Sequence, residues 1–129
     1  MRRQTHMMIL ALLAATLAGC ATYSEQASYL YGERYYRANS HTFATNVTAV
    51  DGHSTILRSV PVPIEPGEHV IQLVTAPVAG FTIPEYRELN LNVEPCKRYY
   101  IVAERDNRLE QNWRPVIERV EHAPSPACH

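Results

Sequence analysis

Short β-branched and apolar stretches, each closed by turn residues, predict an all-β fold. The expected architecture is a small antiparallel β-sandwich of about six to seven strands over residues 43–123. Three observations carry this reading. Residues 87–94 alternate apolar and polar with period two, residues 69–75 are nearly continuously apolar, and turn pairs recur at short intervals throughout. Helical periodicity never lasts long enough to compete.

Taken in order, Phe43 to Val50 alternates loosely and stops at Asp51-Gly52, a strong hairpin pair. Thr55 to Val62 is β-branched but meets Pro61, Pro63 and Pro66, which suits an edge strand or one that breaks off. Pro66-Gly67 is the next turn. His69 to Thr75 (H-V-I-Q-L-V-T) is nearly continuous in apolar residues, as expected of a buried strand. Ala76 to Pro84 holds two further prolines and Gly80 and is a loop. In Arg87 to Glu94, Leu89, Leu91 and Val93 face one way, while Glu88, Asn90, Asn92 and Glu94 face the other. Pro95-Cys96 turns the chain into Arg98 to Glu104 (R-Y-Y-I-V-A-E), the expected central strand. Asp106-Asn107 turns it again, and Trp113 leads into a last strand containing Val116, Ile117 and Val120.

The sequence before residue 43 divides in two. Arg2 and Arg3 precede an apolar run, Met7 to Leu17, broken only by Thr16, and small residues lead into a cysteine: Leu17-Ala18-Gly19-Cys20. A membrane-spanning helix needs about 20 apolar residues, so the run is too short to be one. With Cys20 after the small pair, the segment resembles the signal and lipobox of a bacterial lipoprotein precursor. That resemblance implies cleavage after residue 19, diacylglycerol on the Cys20 thiol and acylation of its new amine. With two or three acyl chains the attachment would be stable. Ala21, rather than aspartate, after the cysteine implies export to the outer membrane, facing the periplasm. Residues 20–42 are then the lipidated cysteine and a tether. Five of the eight tyrosines (Tyr23, Tyr29, Tyr31, Tyr35 and Tyr36) fall there, mixed with Glu25, Glu33, Arg34 and Arg37. Such rings suit a headgroup boundary or the edge of a domain. A sharper alternative makes them an aromatic platform for a sugar or a partner protein. A short helix over residues 25–37 would be interrupted by Gly32.

Removal of residues 1–19 would leave about 110 residues, enough for one small domain, with a net charge of about −3 and no basic cluster. Nucleic acid and polybasic membrane contact have no footing in such a chain. Besides Cys20 there are Cys96 and Cys128. In an oxidising compartment an even pair without C-x-x-C spacing reads as a structural disulfide, pinning the Pro-rich tail of residues 124–129.

The stretches V-T-A-V-D-G (47–52), P-V-P-I-E-P-G-E-H-V-I-Q-L (61–73) and L-N-L-N-V-E-P-C-K-R-Y-Y-I-V-A (89–103) resemble PEGA-type and related prealbumin-like, Ig-like small β-sandwich modules. The resemblance rests on turn chemistry over about 60 residues. It implies a non-enzymatic, surface-associated module and transfers no binding residues.

Chemistry-bearing patterns are sparse. None of Ser24, Ser28, Ser40, Ser54, Ser59 or Ser125 sits in a G-x-S-x-G elbow, and Cys96 has no base and orienting partner in sequence. His41, His53, His69, His122 and His129 show no H-x-H or H-x-x-x-H spacing, and no Gly-rich phosphate loop occurs. The expectation is no enzyme, no metal and no cofactor. Three roles remain. The first is a structural or accessory envelope lipoprotein that binds another envelope protein through Tyr29, Tyr31, Tyr35 and Tyr36 or a sheet edge. The second is a peptidoglycan- or carbohydrate-binding module, although Tyr99 and Tyr100 should face opposite sides of one strand. The third is a small inhibitor of a wall-degrading enzyme, with Phe81 at the tip of loop 76–84 as its anchor.

Overall fold

A computed structural model of the chain describes residues 22–32, 41–56 and 60–128. Among these residues there is no helix; eight strands form a β-sandwich-like, all-β fold. They are β1 (Ser28–Tyr31), β2 (Thr42–Val50), β3 (His53–Ser54), β4 (Val62–Ile64), β5 (Gly67–Thr75), β6 (Tyr86–Val93), β7 (Lys97–Glu104) and β8 (Arg114–His122).

The central strand is β7, as its composition predicts. Antiparallel β8 covers one edge along its whole length, from Lys97↔His122 to Glu104↔Arg114. The other edge is divided: β1 pairs with residues 98–100 and β2 with residues 102–104. After Ala44, β2 leaves this sheet and pairs through Thr45 to Val50 with β5, which in turn carries β6. A register shift between Val47 and Ala49 accompanies that departure, as expected where a strand bends from one sheet into another. Thr45 holds the corner. Its hydroxyl donates to Ile101 O (2.8 Å) and its N–H donates to Gly32 O (2.8 Å). Gly32 is required there, because a Cβ at this position would lie 2.1 Å from Thr45 O.

The core lies between the two sheets. Leu30, Val62 and Ile64 come from β1 and β4, Ile71 and Leu73 from β5, Val93 from β6, and Tyr99, Ile101 and Ala103 from β7; Trp113 closes the cluster. Each fully buried leucine or isoleucine contributes about 1.5–3 kcal/mol of burial. The period-two reading of β6 holds, since Leu89 and Leu91 pack against this cluster while Glu88, Asn90 and Asn92 are exposed. The Asp51-Gly52 pair has φ of 49° and 78°, the left-handed pair of a tight hairpin, and it joins β2 to β3.

Four expectations are corrected. The described residues hold eight strands where about six to seven were expected, because β1, β3 and β4 are short pieces with little pattern of their own. The sandwich is not purely antiparallel: β1 runs parallel to β7. The expected strand at Thr55–Val62 is absent at Thr55, Ile56, Val60 and Pro61, and pairing starts only at Val62, after a cis Val60–Pro61 bond. Finally, the stretch read as a tether supplies β1, which sits between β4 and β7, so the sheet begins before residue 43, with a strand where a short helix was the alternative.

Candidate functional site

The strands place two groups of loops at opposite ends of β7, roughly 25 Å apart for eight extended residues. At the end where β7 begins, the chain enters the fold through residues 22–27. Ser24 donates both its N–H and its hydroxyl to the Glu65 carboxylate (2.6 and 2.5 Å), and Cys96 N donates to Gln26 O (3.0 Å). The Cys96–Cys128 disulfide lies here, with a Cα–Cα distance of 5.6 Å, and ties the tail to the turn that starts β7. Cys96 has φ of 59°, so a cysteine occupies the left-handed position that a Pro-Gly turn would give to glycine. Buried Ser28 links the same turn to β1, donating to Glu94 O (2.7 Å) and accepting from Lys97 N (2.8 Å). His69 sits within hydrogen-bond reach of Asp51 Oδ2 (2.6 Å) and Glu65 O (2.8 Å), so both its ring nitrogens are engaged and none faces a nucleophile. The Asp51 carboxylate is held below its ordinary range, first by the Val70 N–H and then by His69.

The other end is built by the loops 76–85 and 105–113 and the start of β2. Proline at 77 and 84 and Gly80, with φ of 91°, keep the first loop out of strand geometry. It is nevertheless fixed to the second loop. Val78 N donates to Gln111 Oε1 (3.1 Å), Gln111 Nε2 to Ile83 O (2.9 Å), and Trp113 Nε1 to Glu85 O (3.0 Å). Arg87 adds a bond from Nε to Trp113 O (3.0 Å) and one from Nη2 to Asn112 Oδ1 (2.9 Å). Held on this lattice, Phe81, Ile83 and Leu109 stand 53 %, 78 % and 78 % exposed. Leu109 also lines a groove of about 760 Å³ between the two loops and the start of β2, to which Arg105, Arg108 and Asp106 contribute.

Arg105 is 2 % exposed. Its guanidinium lies over the Phe43 ring (4.5 Å to the centroid), and Nη2 donates to Ala76 O (2.9 Å). Nε is buried without a hydrogen-bond partner. Burial alone pushes this guanidinium below its ordinary value, with no neighbouring charge contributing. The adjacent acids are engaged elsewhere: Arg114 binds both Glu104 and Asp106.

Of the residues singled out from sequence, the structure brings Tyr29 and Tyr31 onto β1, while Cys20, Tyr35 and Tyr36 lie outside the described residues. Tyr31 stacks on Tyr100 (4.8 Å between centroids), and Arg119 lies 4.3 Å from the same ring. Tyr100 is buried, its hydroxyl donates to Glu121 Oε2 (3.0 Å), and its pKa is raised by burial and then by that carboxylate. Tyr31 and Tyr100 are therefore packed against each other and Tyr100 is not an open stacking surface, whereas Tyr29 is exposed. Tyr99 and Tyr100 do face opposite sides: Tyr99 is in the core, its hydroxyl accepting the Glu94 N–H (2.8 Å). Phe81 is exposed on its loop. Arg105 escaped the sequence reading, since an arginine between Glu104 and the Asp106-Asn107 turn has the signature of a solvated side chain. Among the described residues no three of His, Cys, Asp and Glu group as a metal site.

No family model, no curated protein and no solved structure matches the chain.

Proposed function

We propose that this chain is a lipid-anchored protein of the bacterial envelope whose non-enzymatic sandwich serves a structural or accessory role, docking another envelope protein at its far end. The observation that carries the reading is polarity along β7. Exposed Phe81, Ile83 and Leu109 stand on cross-bonded loops at one end, while residues 22–26, just after the lipobox resemblance at Leu17-Ala18-Gly19-Cys20, join the fold at the other. A chain anchored by lipid at Cys20 would thus point its apolar loops away from the bilayer. Because the loop backbones are already hydrogen-bonded to one another, binding through these apolar side chains has mainly side-chain freedom to lose, which suits a protein contact. The wall-glycan alternative draws less support from β1, where Tyr31 is stacked on Tyr100 and Tyr29 alone of the two tyrosines is exposed.

The test is site-specific photo-crosslinking in intact cells, with the cross-linker at position 81 or 83 and, for comparison, at exposed Asn92 near the opposite end of β6. One envelope protein captured from 81 and 83 but not from 92 is the expected result, and Cys20→Ser should release the cleaved chain from membranes. Equal adducts from all three positions, or none, would overturn the docking role. Membrane attachment of cleaved Cys20→Ser would overturn the anchor. Phe81→Ser serves as the control, since its melting temperature should match the parent's.

A further inference from the structure

We infer that the groove at the far end is a binding site for the carboxylate of a peptide C-terminus, with Arg105 as its receiving cation. This rests on the groove itself and holds whether or not the chain is anchored by lipid; it would also give the docking end its chemical specificity. A guanidinium removed from water is costly to leave without counter-charge, and nearly all buried arginines are paired. Arg105 is 2 % exposed, its Nε has no partner, and its one side-chain hydrogen bond goes to the neutral carbonyl of Ala76. Phe43 fixes the plane of the guanidinium by stacking, and Ala76 fixes its orientation through Nη2. What remains is a planar donor, positioned in advance for a planar anion.

The surroundings select among anions. Glu104 and Asp106 share the single charge of Arg114, and Arg105 together with Arg108, which also lines the groove, brings this cluster to one net positive charge, which matches a monoanion better than a phosphate dianion. The groove walls contributed by Pro77, Val78 and Leu109 are apolar and suit a hydrocarbon side chain next to the anion. A carboxylate with an apolar side chain on the adjoining carbon is the last residue of a peptide ending in an apolar amino acid. Recognition of that kind recurs wherever a fixed cation or a set of backbone N–H groups captures a chain end.

The purified full-length protein in detergent should be titrated by calorimetry with the acetylated peptide Ac-Ala-Ala-Leu bearing a free carboxylate, and with its C-terminal amide. The expected result is saturable binding of the acid, with the amide weaker by about tenfold or more, as the loss of a charge-assisted pair implies. Arg105→Gln should abolish the difference between acid and amide. Because a buried site can resist substitution, Leu109→Asp is the second variant: it lies at an exposed position, leaves the guanidinium intact, and should weaken the acid by placing a like charge at the rim. Equal binding of acid and amide, or none of either, would overturn the inference. So would binding of the acid that emerges only in Glu33→Gln, because Glu33 is the one Asp or Glu side chain outside the described residues. Capture of a partner in cells without carboxylate discrimination would leave the docking role standing and remove only this site.

Discussion

The two ends of the sandwich are built from the same strands and treat their polar groups in opposite ways. At the end holding the disulfide, polar groups are matched within the chain: Ser28 satisfies two backbone groups, Ser24 binds both oxygens of Glu65, and His69 reaches Asp51 and the Glu65 carbonyl. At the far end, Arg105 Nε and the hydroxyl of Thr42 are buried without hydrogen bonds, and three large apolar side chains stand in solvent. The first arrangement serves stability and the second gives up some stability. The far loops are hydrogen-bonded to one another, so the unmatched groups at this end do not result from unconnected loops. Such concentration of unsatisfied groups at one place is the pattern expected of a functional surface.

The largest effect should come from cutting the matched end. The disulfide spans 32 residues of sequence, and the loop-closure argument puts its worth at about 3–4 kcal/mol. Cys96→Ser combined with Cys128→Ser should lower the melting temperature by roughly 12 °C or more, a large share of the stability of a domain this size. An unchanged melting curve under oxidising conditions would remove the disulfide from the comparison.

A second pair of substitutions sets one hydroxyl against another. Ser28→Ala deletes a buried group that serves both Glu94 O and Lys97 N, leaving two backbone partners unmatched, and should cost about 1–3 kcal/mol. Thr42→Val removes a buried hydroxyl that has no partner and keeps its shape, so it should be neutral or stabilising by up to about 1 kcal/mol. Urea unfolding of both variants measures the contrast directly. Equal losses would mean that the ends do not differ in this respect.

Legibility in the sequence follows the same division. Long strands announce themselves: β5, β6 and β7 are each eight or nine residues, and their apolar pattern is set by a core they face continuously. Asp51-Gly52 is legible because a two-residue hairpin demands left-handed φ at both positions, which few residue pairs accept. By contrast β1 and β4 are four and three residues long, and β1 pairs in parallel with a strand some 70 positions away, so nothing local marks them. Gly32 reads as a helix breaker in isolation; its actual constraint is the carbonyl of Thr45, visible only once β2 has turned its corner. Arg105 is the sharpest case. Its burial results from Phe43 arriving beneath it from the start of β2 and from Ala76 arriving at the end of β5, two contacts that no periodicity encodes.

The smallest expected effect is a dependence on acid that belongs to the matched end. Val70 N–H and His69 hold the Asp51 carboxyl below its usual range, and the hydroxyl and N–H of Ser24 do the same for Glu65. A carboxyl with a depressed folded pKa binds its proton more weakly than it would in the unfolded chain. Its contribution is therefore complete above the unfolded pKa, about 4, and is lost as pH falls through the lower folded value. Asp51 is exposed and Glu65 half-buried, so solvent screening keeps the effect small. Melting temperature should decline from about pH 5 downward, and the decline should be shallower in Asp51→Asn combined with Glu65→Gln. An asparagine side-chain oxygen still accepts from Val70 N–H, so Asp51→Asn removes the charge and leaves the hairpin turn in place. A slope unchanged in the double variant would shift acid sensitivity away from these two carboxylates, and with it one of the marks that distinguish the end near residues 22–27 from the end built around Arg105.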